Sequence, residues 1–289
     1  RDDGLFALSC GGDTSNCVIA AARLGSRCGY VSRLGDDRFA RVLRRQWDDD
    51  NVDATFVATD EEAPTGIYFV THGPGGHEFT YRRKGSAASL MRPQDVPGSY
   101  IGTAKILHVS GISQAISHSA GDSVLAAMEL AKSHGTVVSY DTNLRLKLWS
   151  LDRARGVIHE AMRLTDIARP SLEDARLLTG LNAPDDIADF YLRLGAKIVA
   201  LTLGAKGALI AMPEKREALP PFNINFLDAT GAGDAFGGAF LSRLARGEDA
   251  FTAGRFANAA AAISTTRQGA VASLPKPADV HELLEQCDR

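Results

Sequence analysis

The sequence predicts an α/β fold in three layers: a mostly parallel central sheet with helices on both faces, carrying a small β-sheet lid. Three observations point there. Beyond about residue 100, short β-branched runs alternate with helical stretches, the rhythm of βαβ units around a parallel sheet. The first hundred residues instead hold two β-rich runs joined by a glycine-rich turn, which is a hairpin signal. A length of 289 residues with 45% hydrophobic side chains is enough to bury a substantial core.

Taken in order, "TSNCVIAAARLGSRCGYVSRLGDD" (14–37) reads as a small-residue helix, then a strand, then a glycine turn. In 64–87, "GIYFVT" and "HEFTYR" flank "HGPGG"; a hairpin on an α/β body is expected to serve as a lid. The stretches "KILHVS" (105–110), "TVVSY" (136–140) and "KIVALTL" (197–203) are short, apolar and bounded by polar or turn residues, as buried strands are. Between them, "DSVLAAMELAKSH" (122–134) opens on Asp122 as a cap and stops before Gly135, and "DDIADFYLRLG" (185–195) ends on Gly195, both helical patterns with a glycine stop. No repeat, linker or low-complexity tract interrupts the chain, so residues 1–289 read as one domain with the lid drawn from about 1–12 and 64–86.

Charge narrows the function classes. Thirty-two basic and 35 acidic side chains, net −3 and dispersed, leave no electrostatic footprint for nucleic acid or an anionic membrane. No apolar run approaches the ~18 residues of a membrane span and nothing N-terminal reads as a signal peptide, so a cytoplasmic protein with a small ligand is expected. Cys10, Cys17, Cys28 and Cys287 show neither CxxC spacing nor paired histidines, which argues against a zinc site or a disulfide framework.

The most informative stretch is "DATGAGDAF" (228–236). Gly231 and Gly233 allow positive φ and close approach to a ligand, and they place successive N–H groups at the start of a helix that Asp234 is expected to open. Such a corner is an anion hole, able to stabilise a phosphoryl group in transit. A carboxylate beside it has the wrong charge for binding phosphate and the right chemistry for taking a proton from an attacking alcohol. A tight turn with an N-capping aspartate would use the same residues. The GxxxxGK[ST] phosphate loop is absent, and "GAGDAFG" does not fit GxGxxG after a strand, which excludes both of those nucleotide motifs.

Together with "GGDTSN" (11–16), "RLGDD" (33–37) and "LTLGAKGAL" (201–209), this stretch resembles the ribokinase-like (PfkB-type) carbohydrate kinases. Four motifs in the family's order span nearly the whole chain. Within the family, "TYRRKGSAAS" (80–89), "LHVSGISQAIS" (107–117) and "DTNLRLKLW" (141–149) are most similar to the 2-keto-3-deoxygluconate kinases. The resemblance implies a ribokinase-like sheet, a β lid over the sugar, and ATP at the sheet's edge. It also implies that the family's first strand, which precedes the GGD motif, is largely absent here.

Residue by residue, the resemblance places Gly12, Asp13 and Asn16 at the sugar hydroxyls; glycine permits close contact, and Asp and Asn side chains supply the paired hydrogen bonds that polyols need. It also implies Arg83 on the lid, Arg145 near substrate or phosphates, Tyr68 and Tyr81 lining the pocket, and Ile112 against the sugar's apolar face. A keto acid carries a carboxylate whose burial requires cations or several donors, and the arginines fit that need. The nucleotide side falls on Asn143, Ser171, Thr202, Gly204, Lys206, Gly207 and Asn258, with Gly231 and Gly233 shared. Where many relatives have an Asn-x-x-Glu pattern that helps organise magnesium, this chain has Ser171-Leu-Glu-Asp174; no direct metal ligand is assigned, although Asp174 could act through water. Mg²⁺ is expected to bridge the β and γ phosphates, and Asp228 and Thr230 are candidates for a monovalent cation such as K⁺.

The expected reaction is ATP-dependent phosphorylation of the terminal hydroxyl of 2-keto-3-deoxygluconate, with Asp234 as base, the amides of Gly231, Ala232, Gly233 and Asp234 as the anion hole, and Arg145 assisting. A fructokinase or another PfkB-type sugar kinase is the alternative, and a non-catalytic sugar-binding protein of the same fold is a further one. Because a lone hairpin is marginal in water, a homodimer or higher homo-oligomer closed through the lid is expected.

Overall fold

The structure, a computed structural model, describes residues 6–73 and 76–287. In chain order its strands are β1 (Cys28–Gly29), β2 (Ser32–Gly35), β3 (Val52–Asp53), β4 (Val57–Asp60), β5 (Ile67–Gly73), β6 (Gly76–Arg82), β7 (Ile106–Ser110), β8 (Val137–Asp141), β9 (Ile167–Arg169), β10 (Ile198–Thr202), β11 (Ala208–Ala211) and β12 (Arg216–Leu219). The last six form the central sheet in the order β12-β11-β10-β9-β8-β7. Strands β7 to β10 run parallel, and β11 and β12 close one edge antiparallel.

Alternation builds the three layers. In β10, Val199 and Leu201 face one helical layer while Ile198 and Ala200 face the other; in β11, Leu209 and Ala211 oppose Ala208 and Ile210 in the same way. A strand apolar on both faces must be covered twice. Helices His118–His134, Leu151–Met162, Leu172–Thr179 and Pro184–Leu194 cover the first face, and Asp13–Arg23, Ala232–Ala245, Ala250–Ser264 and Pro277–Cys287 the second.

All three strands read from the sequence are present as β7, β8 and β10. The helix expected to open at Asp122 begins earlier, at His118, because the Ser117 hydroxyl accepts the Ala120 amide at 2.9 Å; Gly135 ends it in the left-handed conformation (φ 75°). The hairpin is β5 and β6, with Tyr68 opposite Tyr81; turn residues 74 and 75 lie outside the described residues. Residues 1–5, expected to join the lid, also lie outside them. Residues 6–12 form no strand, but Phe6 meets Phe69 edge-on at 5.2 Å.

One contact fixes the rest of the site. Helices Asp13–Arg23 and Ala232–Ala245 cross closely through small side chains, among them Ala20, Ala235 and Ala239. At Gly238 a Cβ would run into the Cys17 carbonyl and lie 2.8 Å from the Ala21 amide. Both neighbours are backbone, so nothing there can rotate aside. Gly238→Ala should therefore lower stability by about 1–3 kcal/mol, the usual cost of overpacking, as read from the urea midpoint of unfolding.

Candidate active site

The four parallel strands end on one side of the sheet, and the residues that line the main cavity follow those ends. Ile112 comes after β7, Asp141, Asn143 and Arg145 close β8, Arg169 and Ser171 close β9, and Thr202 closes β10. Ligands in open α/β sheets bind at such carboxyl ends. The cavity holds about 340 Å³, within the range for small-molecule sites. The lid covers it with Tyr68, Phe79, Tyr81 and Arg83, and the glycine turn contributes Thr230, Gly231, Gly233 and Asp234.

Asp234 does not open its helix. Helix Ala232–Ala245 starts two residues earlier, capped by Gly231 in the left-handed conformation (φ 82°), a position only glycine takes without strain. Asp234 therefore sits in the first turn, where the unpaired amides and the dipole lie. The Ala232 amide is already engaged by the Ala229 carbonyl at 3.1 Å, and Ala232 does not line the cavity. That removes Ala232 from the expected set of donors; among the described residues no hydrogen bond occupies the Gly233 and Asp234 amides.

Asn16 lines the cavity and also has two internal partners. Its Oδ1 accepts the Gly12 amide at 3.2 Å and its Nδ2 donates to Asp234 Oδ2 at 2.7 Å. The side chain thus couples the GGD turn to the proposed base. Asp13 does not cap its helix; Gly12 holds that position, and Ser110 Oγ donates to the Asp13 carboxylate. At Gly11 a Cβ would meet the Tyr68 hydroxyl, so the lid tyrosine rests against bare backbone there.

Electrostatics single out Asp234. Burial pushes its carboxyl up to about 8; the Asn16 hydrogen bond opposes this, the Asp13 and Asp141 carboxylates add to it, and Arg169 again opposes it. Burial likewise raises Asp141 and Asp174 above the ordinary carboxylate range. A carboxyl held near neutrality is suited to accepting a proton at physiological pH.

Asp174, named as a water-mediated metal candidate, has internal partners: Oδ2 accepts Thr142 Oγ1 at 3.1 Å and the Leu144 amide at 3.0 Å. Ser171 caps helix Leu172–Thr179. The Asp228 carboxylate ties its own loop, accepting the Thr230 amide at 2.8 Å and the Gly269 amide at 2.9 Å, and lies outside the cavity lining. Gly204, Lys206, Gly207 and Asn258 are also outside that lining; Asn258 Nδ2 donates to the Pro220 carbonyl at 2.7 Å, and a Cβ at Gly207 would strike the Leu219 carbonyl. Among the described residues no group of three or more His, Cys, Asp or Glu side chains could enclose a metal. The glycine turn fits a phosphate, since Gly233 leaves open space where a side chain would stand.

Phe79, Asp141, Arg169, Glu173, Ala229 and Ala270 line the cavity without having been singled out in the sequence. The signal for Arg169 was a charge inside the otherwise apolar run Ile167-Ala168. All four cysteines are free thiols, with Cys17 buried and Cys287 exposed. Among the described residues no helix is long and apolar enough to cross a membrane.

The chain matches the model of the pfkB family of carbohydrate kinases over residues 4–277. It belongs to that family. Maize (Zea mays) fructokinase-1 is 36% identical to this pfkB kinase over 291 residues, covering 97% of this chain and 90% of its own. The 2-dehydro-3-deoxygluconokinase of Thermoproteus tenax is 35% identical over 285 residues, covering 97% and 86%. Among solved structures, a fructokinase from Vibrio cholerae O395 with bound fructose, ADP and calcium ion superimposes with a TM-score of 0.87 at 32% identity, covering 96% of this chain and 92% of that one.

The raised carboxyl of Asp234 makes a stability prediction for the free protein. A group whose folded value lies at about 8 against an ordinary 3.8 takes up a proton on folding, so its contribution is present at low pH and is lost as pH rises to the folded value. Asp234→Asn escapes that loss. Its melting temperature should exceed that of the wild type by a margin that widens from pH 5 to about pH 8 and then levels. Calorimetric scans of both proteins across that window check it.

Proposed function

We propose that this pfkB-family kinase transfers the γ-phosphoryl group of ATP to the terminal hydroxyl of 2-keto-3-deoxygluconate, giving the 6-phosphate. The observation that carries the transfer is Asp234 itself, a half-buried carboxyl bordering the cavity in the same helical turn as two unengaged amides. Arg83 and Arg145 line the same cavity, which supports an acidic sugar, since a buried carboxylate needs cationic or multiple hydrogen-bonding partners.

Asp234 takes the hydroxyl proton as the new O–P bond forms, and Asn16 holds the carboxyl in line through its 2.7 Å hydrogen bond. The Gly233 and Asp234 amides face the charge that accumulates on the transferred group, with Arg145 adding positive charge. Gly12, Asp13, Tyr68, Tyr81 and Ile112 shape the sugar side, and Asn143, Ser171, Thr202 and Gly231 the phosphate side. When bound, MgATP supplies the phosphoryl group and neutralises part of its charge. Phe6, 65% exposed and edge-on to Phe69 of the lid, supports a homodimer or higher homo-oligomer closed over that face.

A second reading, phosphorylation of fructose, is favoured by the fructokinases among the relatives. A coupled ADP-release assay over neutral sugars and sugar acids, with and without Mg²⁺, separates the two. Arg83→Ala should raise KM for the keto acid at least ~10-fold, the scale of a lost charge-assisted hydrogen bond; an unchanged KM, with fructose turned over, selects the neutral sugar. Asp234→Asn should lower kcat at least ~10²-fold with sugar binding little changed, and near-normal turnover would remove the mechanism. In the wild type, kcat/KM should climb with pH and level near the value of about 8 that burial imposes on Asp234.

A further inference from the structure

Arg169 closes β9 beneath the first turn of helix Ala232–Ala245 and is 4% exposed. Its Nη2 donates to the Gly233 carbonyl at 2.8 Å and lies 3.3 Å from Asp141 Oδ2. Nη1 lies 3.4 Å from His108 Nε2 and 4.0 Å from Cys17 Sγ. The buried Nε has no hydrogen-bond partner. A chain seeking only stability would not choose this: burying a guanidinium with an orphaned N–H is costly, and an apolar side chain at a strand end is not.

The space for it is reserved. At Gly237, one turn beyond Gly233, a Cβ would fall within the guanidinium group. What Arg169 grips is also informative. The Gly233 carbonyl and the Asp234 amide belong to one planar trans peptide and point in opposite directions. A donor fixed on the carbonyl therefore aims the amide, in a turn where glycine alone would leave the plane loose.

Resting on the reading of Asp234 as base, we propose that Arg169 is a positioning residue for phosphoryl transfer: from beneath the helix it holds the Gly233–Asp234 peptide and the Asp141 carboxylate, and so directs the Asp234 amide and carboxyl into the cavity. The cation also bears on proton affinity. Asp234 is faced by Asp13, Asn16 and Cys17 from helix Asp13–Arg23, by Tyr30 and by Tyr68 of the lid, by Asp141 of β8 and by Arg169 of β9. Arg169 is the cation in that set acting directly on Asp234 and opposes its upward shift. Burial and Arg169 together hold His108, its neighbour on β7, well below the ordinary histidine value, so His108 remains neutral and does not replace the charge.

The test compares wild type, Arg169→Met, Arg169→Lys, Gly237→Ala and Asp234→Asn with MgATP and whichever of 2-keto-3-deoxygluconate or fructose is turned over. Arg169→Met should lower kcat about 10- to 100-fold, the scale of a small misplacement of reacting groups, change the sugar KM less than about threefold, and move the acidic limb of kcat/KM to higher pH. Arg169→Lys should recover the wild-type limb and part of kcat. Gly237→Ala, which displaces the guanidinium without deleting it, should lower kcat as well, and it decides the matter alone if Arg169→Met does not fold. A lower melting temperature with kcat and the pH limb unchanged would show a structural residue and overturn the proposal. If Asp234→Asn retains turnover, the base reading fails; if Asp234→Asn is inactive while both the Arg169→Met and Gly237→Ala enzymes match wild type, only the role of Arg169 fails.

Discussion

The 2.7 Å hydrogen bond from Asn16 to Asp234 joins residues 218 positions apart, and the site exists only because two helices approach closely enough to make it. Gly238 and the alanines around it allow that approach. Once the crossing is set, Asn16 reaches both the Gly12 amide and the acid, and the GGD turn, the lid contact through Tyr68 and the helix start share one geometry. Small residues here are a catalytic requirement expressed as packing.

The sheet supplies the opposing force. Four parallel strands bring Asp141, Asn143, Arg169 and Thr202 to one edge, and the helix adds Asp234. Asp13 and Asp141 raise the proton affinity of Asp234, and Asp174 and Asp13 raise that of Asp141, where water is scarce. A fold optimised for stability would disperse such charges; this one gathers them around a single buried guanidinium. Local cost concentrated where chemistry occurs is the expected signature of a functional site.

Much of this was legible in the sequence. The period of apolar residues located β7, β8 and β10, and glycine stops located two helix ends, because those signals are local. The glycine turn at Gly231 and Gly233 beside Asp234 was readable for the same reason. The exact helix start was not, since Gly231 adopts the cap conformation three residues before the first charged side chain. Strands β9, β11 and β12 were too short, at three or four residues, to show a period. The bond from Asn16 to Asp234 and the grip of Arg169 on Gly233 depend on tertiary register, which no window of sequence contains. Asn258 and Gly207 illustrate the reverse: motif positions suggested ligand contacts, whereas the structure commits Asn258 to Pro220 and presses Gly207 against the Leu219 backbone.

The central claim is that Asp234, a half-buried acid among other carboxylates, is poised to change protonation near neutrality. Infrared difference spectra between the wild type and Asp234→Asn, taken across a pH titration of the free proteins, read that carboxyl directly. The account predicts a protonated C=O band present at pH 6 and lost with a midpoint near the value of about 8 imposed by burial. A carboxylate already ionised at pH 6 would contradict it.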